Sequence, residues 1–329
     1  MAWFPSRDFH TPRPFIMNQS QQSNTSRLPM PLKPGDRLCV ISSSGTLRER
    51  NTFEQGIQIW KDRGYHIDYA KGYDSRWGYL AGTDEERRSQ LEHAWTNPDY
   101  KGILCSRGGY GGSRLLEQWQ WPQTNEQSTS GNDISPKWLM GFSDVTSVLW
   151  SLQTKGISGV HGPLLTTLSQ EPEWSKQRLF DWVEGRSSNI PALTGEGWVS
   201  GQVSGHLLPA NLTVATHLLG THLQPNLDGA ILALEDVGEA PYRIDRMLTQ
   251  WRMMGALEKV NGIALGRFSK CQGASGIPSL TIEEVLRDRL CDLYIPVVAH
   301  LPFGHDGENA ALPVGVPATL DGTTGTLTL

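Results

Sequence analysis

A chain of 329 residues has room for roughly two domains of about 150 residues each, and with 38% apolar residues and 35 glycines its composition is globular, not disordered. The formal net charge of −5 and isoelectric point near 6.0, with no Lys/Arg-rich run, give no basic field for a phosphate backbone and argue against a nucleic-acid partner. No stretch approaches the roughly 20 consecutive apolar residues of a membrane helix, so no membrane partner is expected.

Residues 1–29 are rich in Pro, Ser, Gln and Asn and lack an apolar signal core, which predicts a mobile tail without an export role. From 30 to 170, β-like runs at 38–42, 66–70, 102–106 and 138–142 alternate with helical stretches. One of these, 83–95, opens on the acidic turn DEE. That alternation predicts an α/β domain with a parallel sheet. Within it, 118–136 turns polar and reads as a surface excursion. Residues 171–197, rich in Glu, Trp, Ser and Pro, are the expected connection to a second domain, 198–329. There, strands are predicted at 230–234, 262–268, 295–299 and 318–320, and helices at 242–254 and 281–290. The four cysteines show no CxxC or zinc-type spacing. Cys39 and Cys105 lie in apolar runs, which predicts buried free thiols and fits a reducing cytoplasm.

Four segments carry side chains with chemical potential. In WLMGFSDVTSVLW an apolar strand ends just before Ser143 and a helix follows, so Ser143 is placed beyond a strand's carboxyl end, where α/β sheets gather ligands. The amide of Asp144 then lies ready for an oxyanion, although either Ser143 or Asp144 would also serve as a helix cap. In CSRGGYGGSRLL, Arg107, Gly108, Gly109 and Tyr110 follow another strand. The glycines allow close backbone approach, as a structural turn also would. In LALEDVGEAPYRIDRML a strand runs into Glu235 and Asp236, one of which can orient a histidine; a salt bridge to Arg243 or Arg246 is the alternative. In LPFGHDGENAALPVG, His305 stands on a loop after a strand as a candidate general base, whereas His300, in an apolar stretch, reads as a core histidine.

Nucleophile, amide-lined turn, orienting acid and base together make a serine-hydrolase reading available. A non-catalytic peptide-binding cleft and a phosphate loop at RGGYGG are the rivals. Metal-ligand spacings are missing, and nothing calls for a cofactor.

The runs PGDRLCVISSSG, CSRGGYGGSRLL, GFSDVTSVLW, LALEDVGEAPYRIDRML and LPFGHDGENAALPVG, in that order, resemble the landmarks of the LD-carboxypeptidase family. The resemblance implies Ser143 as nucleophile, Glu235 as acid and His305 as base. It also implies a Rossmann-like or flavodoxin-like amino-terminal domain, a smaller α/β carboxyl-terminal domain, and an active site between them. It implies release of a terminal D-amino acid, typically D-Ala from a murein tetrapeptide, by a cytoplasmic homodimer. A related branch resembles self-immunity hydrolases that act on peptide-nucleotide antibiotics. Arg107 is the candidate for the substrate's terminal carboxylate, and Gly109, Tyr110 and Asp144 for oxyanion contacts. The polar stretch 118–136, the long tail and HLLPAN, where a Gly pair often precedes the Asn, depart from the family pattern.

Overall fold

The computed structural model describes residues 25–123 and 134–329. The first half alternates strand and helix: β1 (Arg37–Ile41), α1 (Arg50–Asp62), β2 (His66–Tyr69), α2 (Asp84–Thr96), β3 (Tyr100–Cys105), α3 (Gly112–Leu116), β4 (Trp138–Gly141), α4 (Thr146–Gln153), β5 (Val160–His161) and α5 (Glu173–Val183). The second half holds β6 (Leu193–Thr194), β7 (Glu196–Val199), β8 (Gln202–Asn211), α6 (Leu212–Leu218), β9 (Ile231–Val237), α7 (Pro241–Met253), β10 (Gly262–Ser269), α8 (Ile282–Leu290), β11 (Val297–Ala299), β12 (Leu312–Pro313), β13 (Pro317–Asp321) and β14 (Thr326–Thr328).

β1 to β5 pair in parallel in the order β5-β4-β3-β1-β2, and β12 adds antiparallel to the β5 edge. The buried run of β1 is what a strand covered on both faces requires. The second sheet has the order β6-β14-β13-β8-β9-β10-β11-β7, with a parallel centre from β8 to β11 and antiparallel flanks. Two α/β units are therefore present, the first parallel as expected except at its β12 edge and the second mixed.

Local chemistry sets the helix boundaries. Thr83 Oγ1 accepts the Glu86 amide at 3.2 Å while Glu86 Oε2 accepts the Thr83 amide at 2.7 Å, a reciprocal cap that starts α2. Thr281 and Glu284 repeat it ahead of α8. α7 begins with Pro241 and buries Ile244, Leu248 and Trp251, one face of a helix. α4 is buried at every position and touches α6 and β8, and Trp150 Nε1 donates to Pro209 O at 3.1 Å. One apolar cluster accordingly runs from Leu91 and Trp95 through Trp150 to Leu232 and Trp251, joining the halves.

Several segments differ from the sequence reading. Of the expected tail, residues 1–24 lie outside the described residues, and the remainder is docked: Ser26 N donates to Gly315 O at 2.7 Å, and Arg27 bridges Ile157. Residues 124–133 of the polar excursion are likewise outside the description. Its flanks are anchored by Trp121, 4.6 Å from the Trp95 ring and bonded through Nε1 to Ser151 Oγ at 3.0 Å. The expected connection contains α5, whose Phe180 ring packs 4.9 Å from Trp60. The cysteines are all free, Cys39 and Cys105 are buried, and burial pushes both thiols up to about 12.

Candidate active site

β3, β4, β9 and β10 deliver the side chains of interest from their carboxyl ends. After β4 the chain must turn sharply into α4, and it does so with Ser143 at φ 64, the left-handed region that a residue with a Cβ rarely enters. A single 3-10 turn, Ser143–Val145, leads into the helix. Two glycines make room for this corner. A Cβ on Gly108 would lie 2.9 Å from Ser143 Cβ, and one on Gly141 3.0 Å from the Val145 side chain. Neither Ser143 nor Asp144 caps the following helix. Asp144 instead turns inward, buried, and its carboxylate accepts the Gly112 amide at 2.8 Å.

Glu235 and Asp236 end β9 and separate as neighbours on a strand should. Glu235 is fully buried, and its Oε2 accepts His305 Nδ1 at 2.6 Å and the His305 amide at 3.3 Å. Asp236 turns to Thr213, accepting its amide and hydroxyl, each at 2.8 Å. Burial outweighs those bonds and pushes the Asp236 carboxyl up to about 6. The salt-bridge alternative is not realised: Arg243 pairs with Glu239 at 3.3 Å. For His305, burial is the largest single influence and opposes a charged ring, but the hydrogen bond and charge of Glu235 with the nearby acids outweigh it and raise the pKa. The Phe142 ring packs 4.6 Å from the imidazole, and Arg267 Nε and Ser269 Oγ hold the His305 carbonyl at 3.2 and 2.7 Å.

Ser143 and His305 line one cleft of about 550 Å³ together with Arg107, Gly108, Gly109 and the start of α1. Among the described residues the Ser143 hydroxyl makes no hydrogen bond, so serine and imidazole share the cleft without being bonded to each other. The amides of Gly109, Tyr110 and Asp144 have no acceptor among the described residues. Tyr110 itself does not line the cleft; it is half exposed, 5.9 Å from the Tyr79 ring. Arg107, which lines the cleft, donates from Nη1 to Thr46 O at 2.8 Å and lies 3.6 Å from Glu49. None of the described residues flanking the polar excursion lines it.

Sequence reasoning missed four supports. Asn211 Nδ2 reaches Glu235 Oε1 at 3.2 Å and Asp236 Oδ1 at 3.3 Å, bridging the two acids. Its side chain also caps α6, a position its residue type could have signalled. Arg87, fully buried, donates to Ser43 O at 2.5 Å and Gly111 O at 2.6 Å and so fixes the glycine loop. Glu171 and Asn309 brace the His305 loop. His161 is buried against Phe142 with neither ring nitrogen bonded among the described residues, and burial lowers it to about 4. His300 is exposed, its ring 5.7 Å from Trp198, and not a core residue: φ 58 turns it out of the sheet.

Ser143, at a strand end, and His305, bonded to a buried carboxylate, thus share one cleft. Residues 38–162 match the model of the LD-carboxypeptidase N-terminal domain and residues 204–320 that of the LD-carboxypeptidase C-terminal domain, and the chain belongs to this family of carboxypeptidase hydrolases. It is 57% identical over 299 residues to a Synechocystis protein that is named a carboxypeptidase only provisionally, covering 91% of this chain and 96% of that one. It is 32% identical to the murein tetrapeptide carboxypeptidase of Pseudomonas aeruginosa, covering 78% of this chain and 84% of that one. The crystal structure of muramoyltetrapeptide carboxypeptidase from Oxalobacter formigenes superposes with a TM-score of 0.74 at 29% identity, covering 88% of this chain and 97% of that one. Among the described residues no helix is long and apolar enough to cross a membrane.

Proposed function

We propose that the protein is a serine LD-carboxypeptidase that removes the terminal D-amino acid, D-Ala, from a murein tetrapeptide. The 2.6 Å contact between His305 Nδ1 and the buried Glu235 carries this reading, because it leaves Nε2 as the basic nitrogen for a serine in the same cleft. His305 Nε2 takes the proton of Ser143 Oγ, which attacks the scissile carbonyl carbon. The oxyanion is received by the free amides of Asp144 and of Gly109 or Tyr110, a contribution of about 3 kcal/mol. The carbon–nitrogen bond then breaks, His305 returns the proton to the leaving amine, and an acyl-enzyme remains on Ser143. Water, deprotonated by the same imidazole, releases the shortened peptide.

Arg107 is proposed to hold the terminal carboxylate of the substrate, and its partial engagement with Thr46 and Glu49 would fix its direction. The names of the Pseudomonas and Oxalobacter relatives support a murein peptide as substrate. The four free cysteines fit work in a reducing cytoplasm, and a homodimer is the proposed assembly.

Mass spectrometry of the tetrapeptide L-Ala, D-Glu, diamino acid, D-Ala after incubation with the protein and with Ser143→Ala tests the proposal. Loss of D-Ala with the unaltered chain alone is the expected result. An intact tetrapeptide in both, or cleavage by both, would overturn it.

A further inference from the structure

The loop that carries His305 is fastened from two sides. On one side Glu235 takes both the amide and the ring of His305. On the other, the Gly304 amide donates to Asn309 Oδ1 at 3.0 Å, closing the loop on itself. Asn309 is in turn gripped from the first half of the chain. Its amide donates to Glu171 Oε2 at 2.8 Å, and its carbonyl accepts Ser175 Oγ at 2.8 Å. Ser175 Oγ also lies 3.0 Å from the same Glu171 oxygen. Glu171, Ser175 and Asn309 are 8%, 0% and 1% exposed, so water does not replace these bonds when one is lost.

None of the three lines the cleft, so none is placed to touch substrate. Gly304, at φ 107, leaves no space behind the loop: a Cβ there would lie 2.9 Å from Glu235 Cβ. Any slackening at Asn309 therefore passes through Gly304 to the imidazole.

We propose that Glu171 is a positioning residue, which through Asn309 and Ser175 sets the loop that presents the His305 ring to both Glu235 and Ser143. The proposal rests on His305 being the base of the reaction. Displacement of a catalytic group by about 1 Å costs on the order of a hundredfold in rate, so a brace of this kind bears directly on turnover. The charged or titratable groups facing His305 are Glu235 and Asp236 from β9, His161 from β5 and Asp306 of its own loop; those facing Glu171 are Arg267 from β10 and Glu308. Among the described residues Glu235 alone bonds the imidazole ring.

Two readouts on the full chain test this: the titration midpoint of the His305 ring by NMR, assigned by its loss in His305→Gln, and the rate at which a fluorophosphonate labels Ser143. Glu171→Ala is expected to move the His305 midpoint down toward the ordinary histidine value and to slow labelling by about tenfold or more. Glu171→Gln, whose amide oxygen still accepts the Asn309 amide, should keep the midpoint and restore most of the rate. Ser175→Ala, a milder deletion, should fall between. An unchanged midpoint and rate in Glu171→Ala, or in Ser175→Ala should the first not fold, would overturn the proposal. So would a loss of signal amplitude with no movement of the midpoint. A wild-type protein that is not labelled, but whose His305 midpoint moves as expected in the variants, would overturn the nucleophile–base reading and leave the brace standing.

Discussion

His305 Nδ1 meets Glu235 Oε2 at 2.6 Å, and the same oxygen receives the backbone amide of His305 at 3.3 Å, so one buried carboxylate fixes both the ring and the loop it stands on. As the proposed base the imidazole must be neutral to accept a proton, and its pKa is raised. The acid limb of kcat/KM is therefore expected above pH 6.5, the ordinary histidine value. Glu235→Gln should lower kcat by about 10⁴-fold and move that limb down, as a pH–rate profile would read. The stability from this pair should be fully present below the unfolded histidine value and disappear as pH rises through the raised one.

Ser143 holds a left-handed backbone with a Cβ, at a cost of about 1 kcal/mol. Ser143→Gly and Ser143→Ala should both lose turnover, by about a millionfold, the scale of losing a nucleophile. Only the glycine variant relieves the backbone. Urea denaturation is expected to place Ser143→Gly about 1 kcal/mol above Ser143→Ala; equal midpoints would show that the corner is unstrained.

Arg87 is a fully buried cation whose donors go to Ser43 O, Gly111 O and Asp84. Arg87→Met fills much of the volume but leaves Ser43 O unpaired in the interior and Gly111 O with the Leu115 amide alone. A loss of about 3 kcal/mol in urea is expected. The Gly109 and Tyr110 amides should lose their fixed direction, so hydrolysis should drop under conditions where the variant remains folded by circular dichroism.

Burial pushes the Glu171 carboxyl up to about 7 from 4.5, against the lowering pull of its bonds to Asn309 and Ser175. A raised acid stabilises the fold fully below its unfolded value, and that contribution is lost as pH rises through about 7. The stability of the wild type minus that of Glu171→Gln should thus fall by on the order of 3 kcal/mol between pH 4.5 and pH 8. Paired urea curves at the two ends of that range give the answer, and parallel pH dependence would refute it.

Of the first sheet, β5 is too short at two residues to stand out, but β1, β3 and β4 were legible because each is a buried run that ends in a Gly- or Ser-containing turn, and α2 was legible because of the acidic turn that opens it. β8 was not. Its residues QVSGHLLPAN begin polar and contain Gly205 and Pro209, both unusual inside a strand. The structure tolerates them because β8 changes partner midway: β13 pairs with residues 202–206 and β9 with residues 207–211. At the site, residue type and position near a strand end raised Ser143, the pair Glu235 and Asp236, and His305 as candidates, and only the family resemblance chose Glu235 from the pair. The braces Arg87, Glu171, Asn211 and Asn309 escaped notice because each acts through a carbonyl, an amide or a carboxylate far away in sequence, and neither periodicity nor spacing records such partners.

β12 pairs Leu312 with His161 and Pro313 with Val160, covering the edge of β5 with a strand made some 150 residues later. At about 5–20 residues per second, a ribosome needs on the order of 10–30 s to synthesise that interval. Throughout it, the nascent first sheet presents an uncapped strand edge, the kind of surface on which chains mispair. Chaperone demand during synthesis should therefore concentrate in this window, and relocating the β12 segment next to β5 in a rearranged gene would shorten it.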